Sequence, residues 1–161
     1  MEENDKYTKD FVIKNGVNFD DLWYTSYSDE VLDNPEDEGG KPFTGLAYEL
    51  FGNGSLMYFC HYKDGLAHGL NREFYKSGNI KCEEHLKYGL VNGKSVCWHE
   101  NGNIKSISEV ELSVNLVYKE WDENGKLLNE KILEQDKNNA QYVTLLKRRE
   151  INQSLGRSLD I

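Results

Sequence analysis

Phe74-Tyr75-Lys76-Ser77-Gly78-Asn79-Ile80-Lys81 returns as Trp98-His99-Glu100-Asn101-Gly102-Asn103-Ile104-Lys105 and as Trp121-Asp122-Glu123-Asn124-Gly125-Lys126-Leu127-Leu128. A looser copy, Leu50-Phe51-Gly52-Asn53-Gly54-Ser55-Leu56, stands upstream. The glycines at 54, 78, 102 and 125 are separated by 24, 24 and 23 residues. A second punctuation keeps the period: Gly65-Leu66-Ala67-His68-Gly69 recurs as Gly89-Leu90-Val91-Asn92-Gly93, with Lys41-Pro42-Phe43-Thr44-Gly45 as a partial earlier copy. Self-similarity at such a period marks stacked supersecondary units.

Residue types say what one unit is. Asn-Gly or Ser-Gly between short alternating apolar runs signals a hairpin, because Gly and Asn tolerate the positive φ of a tight turn. Before the turn, Val96 and Trp98 fall on one strand face and Cys97 and His99 on the other; after it, Leu56, Tyr58, Cys60 and Tyr62 alternate with Met57, Phe59 and His61. Period-two alternation makes a strand. Phe74, Trp98 and Trp121, with Leu50 in the first unit, are expected to form one ladder from unit to unit, and Ile80, Ile104 and Leu127 a second. An isolated hairpin is marginal in water, so the units hold only by covering one another. Four units give about eight strands, and at ~4.8 Å per strand a sheet nearly 40 Å across. The fold expected is mainly β: an elongated, twisted antiparallel sheet of stacked hairpins with a C-terminal α-helix.

Three parts follow within one domain of 161 residues: a cap over 1–42, the repeats over 43–134, and a helix and tail over 135–161. In the cap, Phe11 to Phe19 suggests a hairpin around Asn15-Gly16, Leu22-Trp23-Tyr24 a further strand covering the first sheet edge, and 29–42 an acidic loop closed by Gly39-Gly40 and Pro42. In the last part, Asn138 followed by Gln141 resembles a capping box, with Tyr142, Leu145 and Leu146 at helical spacing. Lys147-Arg148-Arg149 is placed in its last turn, and a mobile tail is expected from Asn152. Such a helix over the last repeat would protect the far edge.

Charge is unevenly placed. Residues 1–40 hold twelve acidic and three basic side chains, whereas 41–161 hold sixteen of each, so the net charge of −9 sits in the first quarter. Asp29, Glu30, Asp33, Glu36, Asp37 and Glu38 crowd six carboxylates into ten residues. That density repels polyanions and anionic membranes and attracts a basic partner, less so at high salt. With Trp23, Tyr24 and Tyr27 beside it, the cluster is the candidate partner-binding element; the other reading is a flexible, solubilising loop.

No catalytic constellation and no cofactor or metal site emerges. Cys82-x-x-His85 puts its two side chains on opposite strand faces, and Cys97-x-His99 lacks further ligands. The three cysteines therefore look like ordinary thiols, one necessarily unpaired, as suits a reducing compartment. No Gly-x-Ser-x-Gly occurs, and Gly52-Asn53-Gly54-Ser55 stands where other units turn, with no helix after it to cradle phosphate. Paired carboxylates at Glu83-Glu84 and Asp122-Glu123 are solvated faces, and Lys147-Arg148-Arg149 is a poor nucleic-acid footprint beside the net negative charge. Mean hydropathy is −0.73, and the acidic start Met1-Glu2-Glu3-Asn4-Asp5 is the opposite of a secretory leader, so a cytoplasmic chain is expected.

Gly-Leu-x-x-Gly, then an aromatic, then Asn-Gly-x-Ile/Leu resembles the bacterial variant of the MORN repeat. Lys41-Pro42-Phe43-Thr44-Gly45 leading into Tyr48, and the preceding Asp20-Asp21-Leu22-Trp23-Tyr24, are similar to segments of YwqK-like antitoxins, so the likeness spans about 20–134. The departures are Leu112-Ser113-Val114-Asn115-Leu116 in place of Gly-Leu-x-x-Gly in the fourth unit, and the appended helix. The resemblance implies an immunity protein that neutralises a cognate polymorphic toxin, the C-terminal domain of a secreted protein, by stoichiometric binding rather than catalysis. Joined to the acidic cluster, it suggests a basic, nuclease-like toxin whose phosphate sites the carboxylates would occupy, met by a chain that is monomeric when free. The rival is a MORN scaffold or lipid-associated protein without a toxin partner. That would need a basic face, and acidic and basic residues balance in the repeats.

Overall fold

The computed structural model describes residues 6–157. Thr8 accepts the N–H of Phe11 on its side chain and so starts α1 (Lys9–Asn15), with Asp10 in the first turn and Lys14 in the last. The hairpin expected over Phe11 to Phe19 is thus a helix followed by β1 (Gly16–Asn18). Gly16 is there for close approach rather than for a turn: a Cβ would stand 2.7 Å from the Val12 carbonyl and 2.9 Å from the Tyr48 ring. A short 3-10 turn (Phe19–Asp21) leads to β2 (Trp23–Tyr24), which pairs with β3 (Val31–Leu32) as a separate two-stranded sheet.

The repeats supply β4 (Gly45–Leu50), β5 (Leu56–Lys63), β6 (Leu66–Phe74), β7 (Ile80–Lys87), β8 (Leu90–Val91), β9 (Gly93–Trp98), β10 (Ile104–Glu111), β11 (Val114–Trp121) and β12 (Leu127–Ile132). Together with β1 they form one sheet in the order β1-β4-β5-β6-β7-β9-β10-β11-β12, with β8 also on β7. All the hairpin pairings are antiparallel, as expected; β1 alone runs parallel, to β4, making the sheet mixed.

Along one rim, each repeated glycine makes the same bend. Gly54, Gly78, Gly102 and Gly125 have φ of 79, 92, 87 and 84°, and each donates its N–H to the carbonyl three residues back. This is a type I turn closed by a left-handed residue, which only glycine adopts without cost. Along the other rim the turns have two residues, both at positive φ: Asp64-Gly65, Tyr88-Gly89 and Leu112-Ser113. The degenerate fourth unit therefore bends where its neighbours do.

The period also appears as hydrogen bonds between units. The first turn residue donates its N–H to a side chain one unit earlier: Asp64 to Thr44 Oγ1, Tyr88 to His68 Nδ1, Leu112 to Asn92 Oδ1. The second donates to the backbone carbonyl beside it: Gly65 to Phe43, Gly89 to Ala67, Ser113 to Val91. On the opposite rim Ser55, Asn79 and Asn103 donate to the carbonyls of Lys76, Glu100 and Glu123 in the next turn. These contacts explain residue choices that the hairpin alone leaves arbitrary. The residues expected to form two ladders face one another within each hairpin, Leu50 with Leu56, Phe74 with Ile80, Trp98 with Ile104 and Trp121 with Leu127.

Leu46 and Ala47 point to opposite faces of β4, and each face of this first hairpin is covered. On one, Val12 of α1 packs with Leu46, Leu56 and Phe59, and the ring of Tyr7 stacks on Phe59. On the other, Leu22, Val31 and Phe43 pack with Ala47. Fully burying a side chain the size of Phe59 contributes about 2–3 kcal/mol.

At the far end α2 (Ala140–Ser154) starts at Asn139, one residue later than expected, with Asn139 Oδ1 accepting the Gln141 N–H. It runs past Asn152, so Lys147-Arg148-Arg149 lies inside the helix rather than in its last turn. The tail beyond Arg157 is outside the described residues. The helix α2 touches β11 of the last repeat and ties Arg149 to Glu111 of β10.

The thiols also differ from expectation. Cys82 of β7 faces Cys97 of β9 with Cα atoms 4.1 Å apart, and the two are disulfide-bonded; Cys60 is free and buried. Spacing along the chain concealed this pair, because only the register between neighbouring hairpins brings it together.

Candidate functional site: the acidic cap over the first hairpin

Val31 and Leu32 are buried plugs, so the acidic segment is anchored rather than free. Val31 donates its N–H to Gly65 and accepts that of Phe43, pinning β3 to the first two-residue turn. Across β2 and β3, Trp23 faces Leu32 and Tyr24 faces Val31. The connecting turn is held by Thr25, which donates its N–H to the Glu30 carbonyl and its hydroxyl to the Ser28 carbonyl. Trp23, Tyr24 and Tyr27 are left 39, 59 and 78% exposed. Large rings held at a fixed position in water are what interface anchors look like.

The six carboxylates divide by what they touch. Asp33 Oδ1 accepts the Lys41 N–H at 2.7 Å, and Glu36 Oε2 accepts the Ser26 N–H at 3.2 Å, so these two shape the loop. Glu30 lies half-buried over Gly65. Asp29, Asp37 and Glu38 are exposed, the last two on a 3-10 turn (Glu36–Glu38) that ends at Gly39 with φ 81°. Six clustered charges in the sequence thus become a clamped loop with an outward acidic rim.

Where the cap meets the sheet there is a cavity of about 190 Å³, lined by Phe19, Asp20, Tyr24, Glu49, Tyr58 and Tyr62. Glu49 and Tyr58 face each other across β4 and β5, and Phe19 stacks on Tyr58 with ring centroids 5.6 Å apart. The Tyr58 and Tyr62 hydroxyls are 3.4 Å apart. Burial, then the charges of Glu49 and Asp29, push the Tyr24 hydroxyl above its usual value. Burial, with Cys60 and Tyr62 beside it, pushes Tyr58 strongly up, and burial lifts Tyr62 to about 12. The phenols therefore stay neutral donors and leave Asp20 and Glu49 as the charges at the cavity.

Of the residues lining this cavity, Tyr24 alone belongs to the candidate partner-binding element that the sequence indicates. The signal for Glu49 and Tyr58 was present: they stand five before and four after Gly54, positions that the turn forces to face each other. Phe19 and Asp20 had no such signal, since their placement depends on the helix that replaced the expected hairpin. Among the described residues there is no group of three or more His, Cys, Asp or Glu able to hold a metal, and no helix long and apolar enough to cross a membrane.

Residues 67–88, 91–111 and 115–132 match the family described as MORN repeat variant. The first hairpin lies outside those residues although it makes the same two kinds of turn. The chain is 60% identical over 152 residues to immunity protein YwqK of Bacillus subtilis (strain 168), covering 94% of this chain and 97% of that protein. No solved structure matches. With repeats of that type and this identity along nearly its whole length, the chain belongs to the family of that MORN-variant immunity protein.

Proposed function

We propose that this chain is an immunity protein that binds a cognate polymorphic toxin domain in a stoichiometric complex, as a monomer when free and without catalysis of its own. The observation that carries the reading is the 60% identity, across almost both full lengths, to a protein named as an immunity protein. The cap supports a choice of partner. Exposed Trp23, Tyr24 and Tyr27 beside the carboxylates of Asp29, Asp37 and Glu38 suit a basic toxin, of the kind whose cleft holds nucleic-acid phosphates. Carboxylates would fill the phosphate positions and rings would seal the rim. Because the cap is pinned to the sheet, docking orders little chain.

The test is association kinetics with the cognate C-terminal toxin domain, comparing native protein with Asp29→Asn/Asp37→Asn/Glu38→Gln. Asp33 and Glu36 are left intact because they hold the loop. Association should slow roughly tenfold at low salt and lose most of its salt dependence. Unchanged kinetics would remove the cap from the interface, and absence of any complex would remove the toxin partner.

A further inference from the structure

The cavity under Tyr24 has a composition that the acidic rim does not. Its walls are the rings of Phe19, Tyr24, Tyr58 and Tyr62, and its charges are Asp20 and Glu49. The ion pairs of Arg72 with Glu83, Lys81 with Glu73, Lys119 with Glu130 and Arg149 with Glu111 involve neither cavity carboxylate. Two carboxylates amid aromatic faces form a place of negative potential with flat walls. Ring faces attract cations, and a guanidinium can lie on them while its fork of N–H groups reaches carboxylates. A lysine head would satisfy the charge but has no plane to lay against the rings.

We infer that this cavity receives a single arginine side chain of the partner, and that Asp20 and Glu49, which the clustered acidic segment does not include, are its acceptors. The inference rests on the toxin-binding reading for the identity of the partner, but not for the chemistry of the cavity. Three of its walls hold one another: Phe19 touches both Tyr58 and Tyr62, and the latter two belong to one strand of the hairpin whose two faces are both covered. Little rearrangement is needed to admit a side chain, and a partner's cation would pair with carboxylates that otherwise face water.

The experiment has two arms on the full chain. In the first, N-acetyl-arginine methylamide is titrated while the ring resonances of Tyr24, Tyr58 and Tyr62 are followed by NMR. The citrulline and lysine analogues serve as comparisons. Saturable shifts are expected with arginine, roughly tenfold weaker binding with citrulline, and loss of binding in Asp20→Asn/Glu49→Gln. That variant should melt with the native protein, because both side chains are exposed. Equal binding of citrulline, or shifts elsewhere only, overturns the cation site; lysine binding as tight as arginine overturns the guanidinium assignment. In the second arm, the same variant should bind the toxin domain about tenfold more weakly, chiefly by faster dissociation. Unchanged toxin affinity beside a positive first arm overturns the partner assignment. Failure of the native chain to bind the toxin domain overturns the immunity reading, while the first arm still decides the cavity.

Discussion

Replacing Arg149 by Met should destabilise the chain far more than removing the exposed basic partner Lys119. Arg149 donates Nε to Glu111 Oε1 at 2.8 Å and a terminal nitrogen to Oε2 at 2.5 Å, a bidentate pair. The Glu111 side chain is 8% exposed and that of Arg149 32%. Methionine keeps the apolar stem and deletes only the charged head, so the change strands a carboxylate that water scarcely reaches. Breaking a buried pair costs about 3–5 kcal/mol; with Arg149 partly solvated, about 2–3 kcal/mol is expected here. Lys119→Met, which breaks a pair with both side chains near 40% exposed, should cost under about 1 kcal/mol. Changing Glu111 and Arg149 together to Met should recover most of the loss, because no unpaired charge then remains. Urea unfolding of the four proteins reads all of this directly. If Arg149→Met cost no more than Lys119→Met, the idea that this pair fixes α2 to the sheet would be wrong.

The rim ladder predicts that Asn79→Ala and Asn103→Ala each lose about 0.5–1.5 kcal/mol, since each side chain donates to the next turn. Lying in different units, the two losses should add in thermal melts, and a double variant as stable as the native chain would show the ladder to be idle. Alkaline stability has a definite sign. Burial pushes the Cys60 thiol from 9.0 up to about 11, so the folded state holds a proton that the unfolded state has released. Its contribution is complete below pH 9.0 and is lost as pH rises to about 11, with Tyr62 adding the same trend toward about 12. Chemical denaturation across pH 8 to 11 should show stability falling by roughly 2–3 kcal/mol from Cys60, a fall that Cys60→Ala flattens; a native profile as flat as the variant's would contradict the shift.

How much of this was legible depended on how local the cause was. The bends at Gly54, Gly78, Gly102 and Gly125 follow from the chemistry of a few adjacent residues, so they stand where the repeats put them. Residues 11–19 failed for the same reason in reverse. Asn15-Gly16 carries a turn signature, but Thr8 caps a helix and Gly16 answers to the proximity of β4, which no nearby residue reveals. The disulfide lay between these extremes. Residues five before and four after each turn glycine face one another, and the same two positions meet again between hairpins. One row across the sheet therefore runs Glu49, Tyr58, Glu73, Cys82, Cys97, Ser106, Glu120, Asn129. Carried from one unit to the next, the repeat arithmetic contained both the cystine and two of the six residues that line the aromatic cavity.

That row also bears on why a binding site belongs at this end of the sheet. Among the described residues, Val12, Leu22, Val31, Leu32, Phe43, Leu46, Ala47, Leu56, Phe59 and Cys60 are the buried apolar side chains of the first sixty residues, whereas Val110 and Leu145 alone are buried beyond them. A stacked array is only as rigid as its local burial, because each unit borrows stability from its neighbours and opens where that support is thin. The first hairpin has both faces covered and a parallel strand along its edge, so Glu49, Tyr58 and Tyr62 sit on the least yielding part of the chain. Later units lean on backbone ladders, a cystine and one docked helix, devices that hold register without a thick core. A side chain entering the cavity under Tyr24 thus meets walls whose ordering was already settled by folding, which is the condition under which a small cavity contributes affinity rather than consuming it.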